Sequence, residues 1–180
     1  MKYKDYASYA YTAGLLDGEG CIHIDKKKPR AIKGEKNPVY VLKIFVNMTD
    51  GKALDFLYGF WGGAVRKQEI KKENHNDMYH WYMECGKAAN LLKKCLPFFK
   101  TKLPQAQLAI QFRARQESAF RKSYGKWGSA PYPQHTLDFY EECKIKLQEL
   151  KKDLKPSNAV AETKRTNRYN TISDSPNLTE

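Results

Sequence analysis

The sequence predicts an α+β fold: one four-stranded sheet with helices on one face. Three observations predict it. Four short segments alternate apolar and polar residues with period two, the mark of half-buried strands. The stretches between and after them repeat apolar residues at helical spacing. The order runs helix, two strands, helix, two strands, then helices, so strands come in pairs rather than singly.

Taken in order, residues 5–18 read as a helix, with Asp5 as N-cap and Gly20 as the stop. Ala10, Gly14 and Gly18 fall at i, i+4 and i+8, and Tyr11 and Leu15 form an apolar stripe beside them. A glycine inside a helix costs about 1 kcal/mol relative to alanine. Gly14 therefore implies a gain from its missing side chain, and close approach of another helix backbone supplies one. The alternative is a weak helix packed loosely on its own sheet. Residues 21–27 form a strand, with Ile22 and Ile24 opposite His23, Asp25 and Lys27. Residues 28–37 are charged, hold Pro29 and Gly34, and read as a loop. Residues 38–48 alternate again, Leu42, Ile44 and Val46 against Val41, Lys43, Phe45 and Asn47.

Asp50 caps a helix to about residue 60, with Ala53, Leu54 and Leu57 as its apolar stripe and Gly62-Gly63 ending it. Residues 64–72 and 78–85 are the next strand pair, joined by a polar turn at 73–77. Arg66 and Gln68 oppose Val65 on the first; His80, Tyr82 and Glu84 oppose Trp81 and Met83 on the second. A helix over 87–96 stops at Pro97, and Pro104 opens another to about 122. Residues 125–133 are a loop. The last helix, 137–154, carries Leu137, Tyr140, Leu147, Leu150 and Leu154 on one side. Residues 1–154 thus form one domain, and 155–180, rich in Ser, Thr and Asn, form a mobile tail.

Composition bounds the function. At 180 residues, 41% hydrophobic and 13% aromatic, the chain builds a real core, which excludes wholesale disorder. No apolar run approaches the roughly 20 residues of a membrane span, so no membrane partner is expected. The N-terminus lacks the apolar stretch of a signal peptide, so the expected location is intracellular. Four scattered cysteines without a C-x-x-C pair argue against a disulfide scaffold or a structural zinc site. His75-Asn76 with His80 and Cys85 fits neither an HNH nor a zinc spacing.

The charge is +12, from 32 Lys and Arg against 20 Asp and Glu. It sits in the folded body rather than the tail. Mixed with aromatics, it is the footprint of a polyanion binder. One sheet face supplies apolar residues to the core; the other is too polar to be buried and too basic to be idle. Such a sheet fits the major groove, where alternate side chains read base edges. The candidate DNA-contacting residues are His23, Asp25, Lys27, Lys28, Arg30, Lys33, Lys43, Arg66, Gln68, Lys71, Lys72, His80 and Tyr82.

The segment Thr12-Ala-Gly-Leu-Leu-Asp-Gly-Glu-Gly20 resembles the signature of the LAGLIDADG homing endonucleases. It matches at Ala13, Gly14, Leu15, Asp17 and Gly20, with conservative changes at Leu16 and Glu19 and with Thr12 where leucine is usual. The element order, Gly62-Gly63 and residues 97–107 resemble the family too, so the likeness covers roughly residues 6–150. It implies an αββαββα core with an antiparallel sheet. One copy of the motif is present, which implies the homodimeric branch of the family, with Ala10, Gly14 and Gly18 as the interface. It also implies a metal-dependent endonuclease that cuts a long, near-palindromic duplex.

By the same resemblance, Glu19 and the carbonyl of Gly18 bind Mg²⁺ or Mn²⁺. A carboxylate at a helix C-terminus is disfavoured by the macrodipole, and a bound cation offsets that. Asp17 is either a helix-end hydrogen-bonding residue or catalytic. Lys102 matches the family's basic residue near the metal, where it stabilises phosphorane charge; otherwise it is a surface lysine. Met48 falls where the family often has Gln, and Lys52 at its second basic position. Asn47, Thr49 or solvent takes over the task that Met48 cannot perform. An intron RNA maturase, or a non-catalytic DNA-binding protein of the same fold, is the alternative, and Arg113, Arg115, Arg121, Lys122 and Lys126 offer a second basic surface. The resemblance implies an intron-encoded protein of a bacterium, a phage-infected cell, or a mitochondrial or chloroplast matrix.

Overall fold

A computed structural model describes residues 3–29, 37–68, 77–122 and 132–153. Its elements are α1 (Tyr3–Glu19), β1 (Gly20–Lys27), β2 (Val39–Met48), α2 (Lys52–Trp61), β3 (Ala64–Gln68), β4 (Met78–Glu84), α3 (Cys85–Cys95), α4 (Leu103–Lys122) and α5 (Gln134–Lys152). The strands form one antiparallel sheet in the order β1-β2-β4-β3. Ile22 pairs with Ile44 and Ile44 with Met83, while Val46 pairs with Trp81 and Trp81 with Val65. Those rows make the core face, and Ile22, Leu42, Ile44, Val46 and Trp81 are wholly buried against the helices. The next rows along, His23 beside Lys43 and Asn47 beside His80 beside Arg66, make the open face.

Several expected boundaries move. α1 begins at Tyr3, so Asp5 lies inside the helix and is not its N-cap. α1 runs to Glu19, and Gly20 is already the first residue of β1. A Cβ at Gly20 would lie 2.6 Å from Leu16 Cδ2 and 2.7 Å from the Leu16 carbonyl oxygen. Only glycine lets the strand leave the helix that abruptly. Gly51, not Asp50, takes the N-cap position of α2, and Asp50 one residue earlier accepts the Lys52 N–H at 2.9 Å. Gly62 and Gly63 follow α2 with φ of 76° and 93°, a region other residues rarely adopt. α3 starts at Cys85 rather than at 87, directly from β4, and Cys85 takes a left-handed φ of 56° to make the turn. α3 ends at Cys95, one residue before the expected end, and Pro97 lies in a 3₁₀ turn over Leu96–Phe98, where a proline early in a helical turn gives up no hydrogen bond. Lys71, Lys72, Arg30, Lys33, Leu154 and the tail lie outside the described residues.

α5 corrects the reading most. It begins at Gln134, and its buried stripe is Thr136, Tyr140, Cys143 and Leu147, with Leu137 and Leu150 only half-buried. Midway along it Glu141 reaches Lys26 and Tyr40, and near its end the Lys151 ammonium donates to Cys21 Sγ at 3.2 Å while the Leu150 carbonyl accepts from Gln105 of α4 at 3.3 Å. α5 therefore runs along the outer edge of β1, packed on α4, and covers an otherwise bare strand edge. Among the described residues no helix is long and apolar enough to cross a membrane.

Glu141 is the staple of that edge. Its carboxylate accepts from Lys26 Nζ at 2.7 Å, Tyr40 Oη at 2.6 Å and Lys144 Nζ at 2.7 Å. Lys144, Lys26 and Tyr40 hold its carboxyl down from 4.5 to about 2. A depressed carboxyl stabilises the fold above its unfolded pKa and loses that contribution as pH falls through the folded one. In acid titrations followed by circular dichroism, the wild type should lose stability from pH 4.5 towards about 2. Glu141→Gln should start less stable at neutral pH and show a flatter slope across that window; an unchanged slope would remove Glu141 as the staple.

Candidate active site and nucleic-acid interface

The motif ends where three segments meet: the C-terminus of α1, the first residues of β1, and residues 100–102 before α4. Asp17 and Lys102 join them reciprocally. Asp17 Oδ2 accepts the N–H of Lys100 at 2.7 Å and of Thr101 at 3.3 Å, and Oδ1 accepts that of Lys102 at 2.8 Å. Partial burial pushes the Asp17 carboxyl up, but these donors outweigh it and hold the group below its usual range. Lys102 Nζ donates in return to the carbonyls of Leu16 at 2.7 Å, Asp17 at 2.8 Å and Gly20 at 2.8 Å. An ammonium at the negative end of a helix, satisfying orphan carbonyls, is favourable on both counts. Burial pushes the Lys102 ammonium down, while Asp17, Cys21 and Glu19 pull it up. Asp17 is thus the hydrogen-bonding residue of the two alternatives. Lys102 is no surface lysine, and all three of its protons are engaged in the free chain.

Glu19 is exposed, and among the described residues its carboxylate has no hydrogen bond or ion pair. Lys102 takes the carbonyls on either side of Gly18 and Glu19 and leaves that of Gly18 alone. Among the described residues an unpaired carboxylate thus stands beside a carbonyl that Lys102 does not take, an oxygen-rich pair that suits a hard divalent cation. Two protein oxygens do not complete a coordination shell, and no three His, Cys, Asp or Glu side chains gather among the described residues. Magnesium fits such a sparse site because it keeps waters and takes substrate phosphate oxygens.

The open sheet face starts beside this point. Val46 pairs with Gly20, so Asn47 lies one step beyond, at the Glu19 end of β2. An open groove of about 660 Å³ runs over His23, Lys43, Phe45, Asn47, Arg66, Lys67, Gln68, His80, Tyr82 and Glu84. Lys43 and Arg66 hold their charges 5.4 and 5.3 Å from the centre of the Tyr82 ring. Lys43 is also 3.1 Å from Glu84, and Lys67 is 2.7 Å from Asp77. His23 packs edge-on against Phe45, and its Nδ1 is buried without a hydrogen-bond partner. Burial and nearby Lys151 hold its imidazole below the ordinary value. Asp25, Lys27 and Lys28 lie at the far end of β1, the last two exposed.

The stripe expected on α1 is bare. Ala10, Gly14 and Gly18 are exposed, and a Cβ at Gly14 or Gly18 would meet nothing within 4 Å. Tyr11 beside them is 49% exposed, its ring 4.9 Å from that of Phe56. The opposite face of α1, with Tyr9, Thr12, Ala13 and Leu16, is buried in the core.

Solved structures share this fold. The homing endonuclease I-CvuI, in complex with its target in the presence of calcium, aligns with a TM-score of 0.54 and 22% identity over 82% of this chain and 98% of its own. The LAGLIDADG homing endonuclease I-GzeII, in complex with its DNA target, aligns with a TM-score of 0.56 and 13% identity over 96% of this chain and 53% of its own. The chain has the LAGLIDADG homing endonuclease fold. The archaeal intron-encoded I-Vdi141I, complexed with DNA, also aligns, with a TM-score of 0.52 and 15% identity over 79% of this chain and 99% of its own. No protein-family model matches the sequence, and no curated protein does either.

Thr12, the departure at the head of the LAGLIDADG motif, has a physical reason. It is wholly buried, donates to the Ser8 carbonyl at 2.7 Å, and accepts the Trp61 indole N–H at 2.9 Å. A leucine there would strand that N–H. Met48 packs against the core, on the opposite face of β2 from Asn47. Lys52 is exposed at the start of α2. Asn47 bonds to His80 at 2.7 Å. On the second basic surface, Arg113 is half-buried and 3.3 Å from Glu117, Arg115 is exposed, and the side chains of Arg121, Lys122 and Lys126 lie outside the described residues. Lys144, Gln148 and Lys151 went unnoticed in the sequence, although their i, i+4, i+7 spacing placed them on one helix face; they line a cleft with Cys21, His23 and Phe45.

The capping geometry makes Lys102 a stability residue in the absence of DNA. Lys102→Met strands three carbonyls and removes a charge-assisted cap, at a cost of about 1–3 kcal/mol. Urea unfolding of the free protein checks this, and a midpoint equal to wild type would show that the contacts contribute nothing.

Proposed function

We propose that this chain is a site-specific double-strand DNA endonuclease that acts as a homodimer on a long, near-palindromic site and hydrolyses phosphodiesters with Mg²⁺ or Mn²⁺. The observation that carries this reading is the exposed, unpartnered Glu19 at the end of a helix with a bare small-residue stripe, beside an open basic sheet face. Glu19 and the Gly18 carbonyl would hold the cation, and the Asp17–Lys102 clasp would keep both in place. The cation supplies positive charge to the attacking and leaving oxygens of an in-line displacement. The sheet would follow the major groove, with Lys43 and Arg66 near phosphates and base edges and Gln68 and Asn47 on bases. The solved structures of this fold that include DNA support the substrate class.

Two copies are needed for two cuts. Each chain brings one metal-binding carboxylate at the motif, and the chain spans nearly all of I-CvuI but about half of I-GzeII. A two-fold pairing of α1 along Ala10, Gly14 and Gly18 would bring two Glu19 carboxylates together at one end. The location proposed is that of its substrate, in a bacterial or phage-infected cytoplasm or an organelle matrix.

Cleavage of a duplex spanning the gene's own insertion site should require the divalent cation and stop in excess chelator. Glu19→Gln should lose cleavage by several orders of magnitude and keep its affinity, because Glu19 contributes charge to the cation and little to base reading. Full cleavage by that variant would refute the metal assignment while leaving the fold intact.

The dimer has a separate test. Gly14→Leu meets open space within one chain, and removing a helical glycine favours the helix by about 1 kcal/mol or less. The variant should therefore fold at least as well as wild type and yet sediment as a monomer. A dimer of wild-type affinity would move the interface elsewhere.

A further inference from the structure

Asn47, His80 and Gln68 lie on one sheet face across three strands. Asn47 pairs with His80 in the β2–β4 register, and Gln68 lies two residues along β3 from Arg66, the residue paired with His80. The His80 ring contacts both amides: Nδ1 lies 2.7 Å from Asn47 Oδ1, and Nε2 lies 2.9 Å from Gln68 Oε1. All three line the open groove. The two amides are 21 residues apart in sequence and joined only through one ring.

The chemistry of that ring constrains both amides at once. An amide head has an oxygen on one prong and an NH₂ on the other, so whichever prong turns to the ring, the other faces the groove. A neutral imidazole offers one N–H and one bare nitrogen. One amide must then turn its oxygen inward and show NH₂, while the other turns its NH₂ inward and shows oxygen. A ring with two N–H groups lets both amides turn oxygens inward, as Asn47 Oδ1 and Gln68 Oε1 are placed. No ordinary state of the ring has two bare nitrogens, so both amides cannot show oxygen together.

We propose that His80 is a positioning residue that couples Asn47 and Gln68 into one base-reading unit, so that the donor or acceptor one amide shows the DNA fixes what the other can show. This rests on the reading of the chain as a DNA endonuclease and names a specificity determinant within it. The groove-facing oxygen of an amide reads a donor such as adenine N6 or cytosine N4; the NH₂ reads an acceptor such as guanine O6, guanine N7 or thymine O4. The unit therefore accepts two acceptor edges, or one acceptor and one donor, and rejects donor edges at both positions.

A binding selection from a duplex library randomised across the site tests this, with wild type, Asn47→Ala, Gln68→Ala and His80→Phe. The two positions are those whose preference vanishes in Asn47→Ala and in Gln68→Ala. In wild type, cytosine at both should be depleted about fivefold or more below the product of its separate frequencies. His80→Phe keeps a ring of similar bulk without nitrogens. It should lower discrimination at both positions by about fivefold or more, and the two preferences should become independent. Asn47→Ala, which frees His80 for Gln68 alone, should also broaden preference at the Gln68 position. Independent positions in wild type, unchanged preferences in His80→Phe, or an equal loss of affinity for every duplex would each overturn the coupling alone. A wild type that enriches no sequence would overturn the DNA-endonuclease reading and the coupling with it.

Discussion

The C-terminus of α1 depends on one exchange. Asp17 gives its carboxylate to the backbone of residues 100–102, and Lys102 gives its ammonium to the backbone of α1 and β1. Each charge answers the other segment's unsatisfied groups, so neither is buried unpaired, which would cost several kcal/mol. The exchange sets the direction in which Glu19 leaves the helix and spends the neighbouring carbonyls while sparing that of Gly18. It also ties the motif to α4, some 85 residues away in the chain, and so to the helical layer behind the sheet. A helix end held this firmly can offer a carboxylate to a cation in fixed geometry, which is what a positioned metal ligand requires.

Around that point each face of α1 has a separate task. Tyr9, Thr12, Ala13 and Leu16 are buried in the core, and the Thr12–Trp61 hydrogen bond locks α1 to α2. The other face carries small residues and is open. Keeping side chains off one stripe lowers helix propensity, and the loss is recovered where another backbone comes close. Gly20 serves the same economy at the helix end, letting β1 begin beside Leu16 with no linker.

The sheet divides in the same manner. One face is apolar and covered. The other holds cations over Tyr82, an amide–imidazole–amide cluster, and a half-buried imidazole at His23 packed against Phe45. Lys43 and Lys67 are each near an acid, so the charge of this face is braced rather than loose. α5 lies along the edge of β1, where Glu141 meets Lys26 and Tyr40 and Lys151 meets Cys21.

Sequence alone determined what is periodic or local. Alternation along β1, β2 and β4 sorted Ile22, Ile44, Val46 and Trp81 from His23, Lys43 and His80, because burial on one face of a sheet writes itself every second residue. The motif placed Glu19 at a helix end, and Asp50 and Gly62-Gly63 marked α2, since caps and positive φ have local chemical signatures. Tertiary structure decided the rest. The order β1-β2-β4-β3, the role of Lys102, the Thr12–Trp61 bond, the placement of α5 along β1 and the Asn47–His80–Gln68 cluster all join residues far apart in the chain. A lysine before a helix looks the same in sequence whether it caps another helix or faces solvent. Its partner is chosen by packing, and packing satisfies buried polar groups through contacts that no local pattern records.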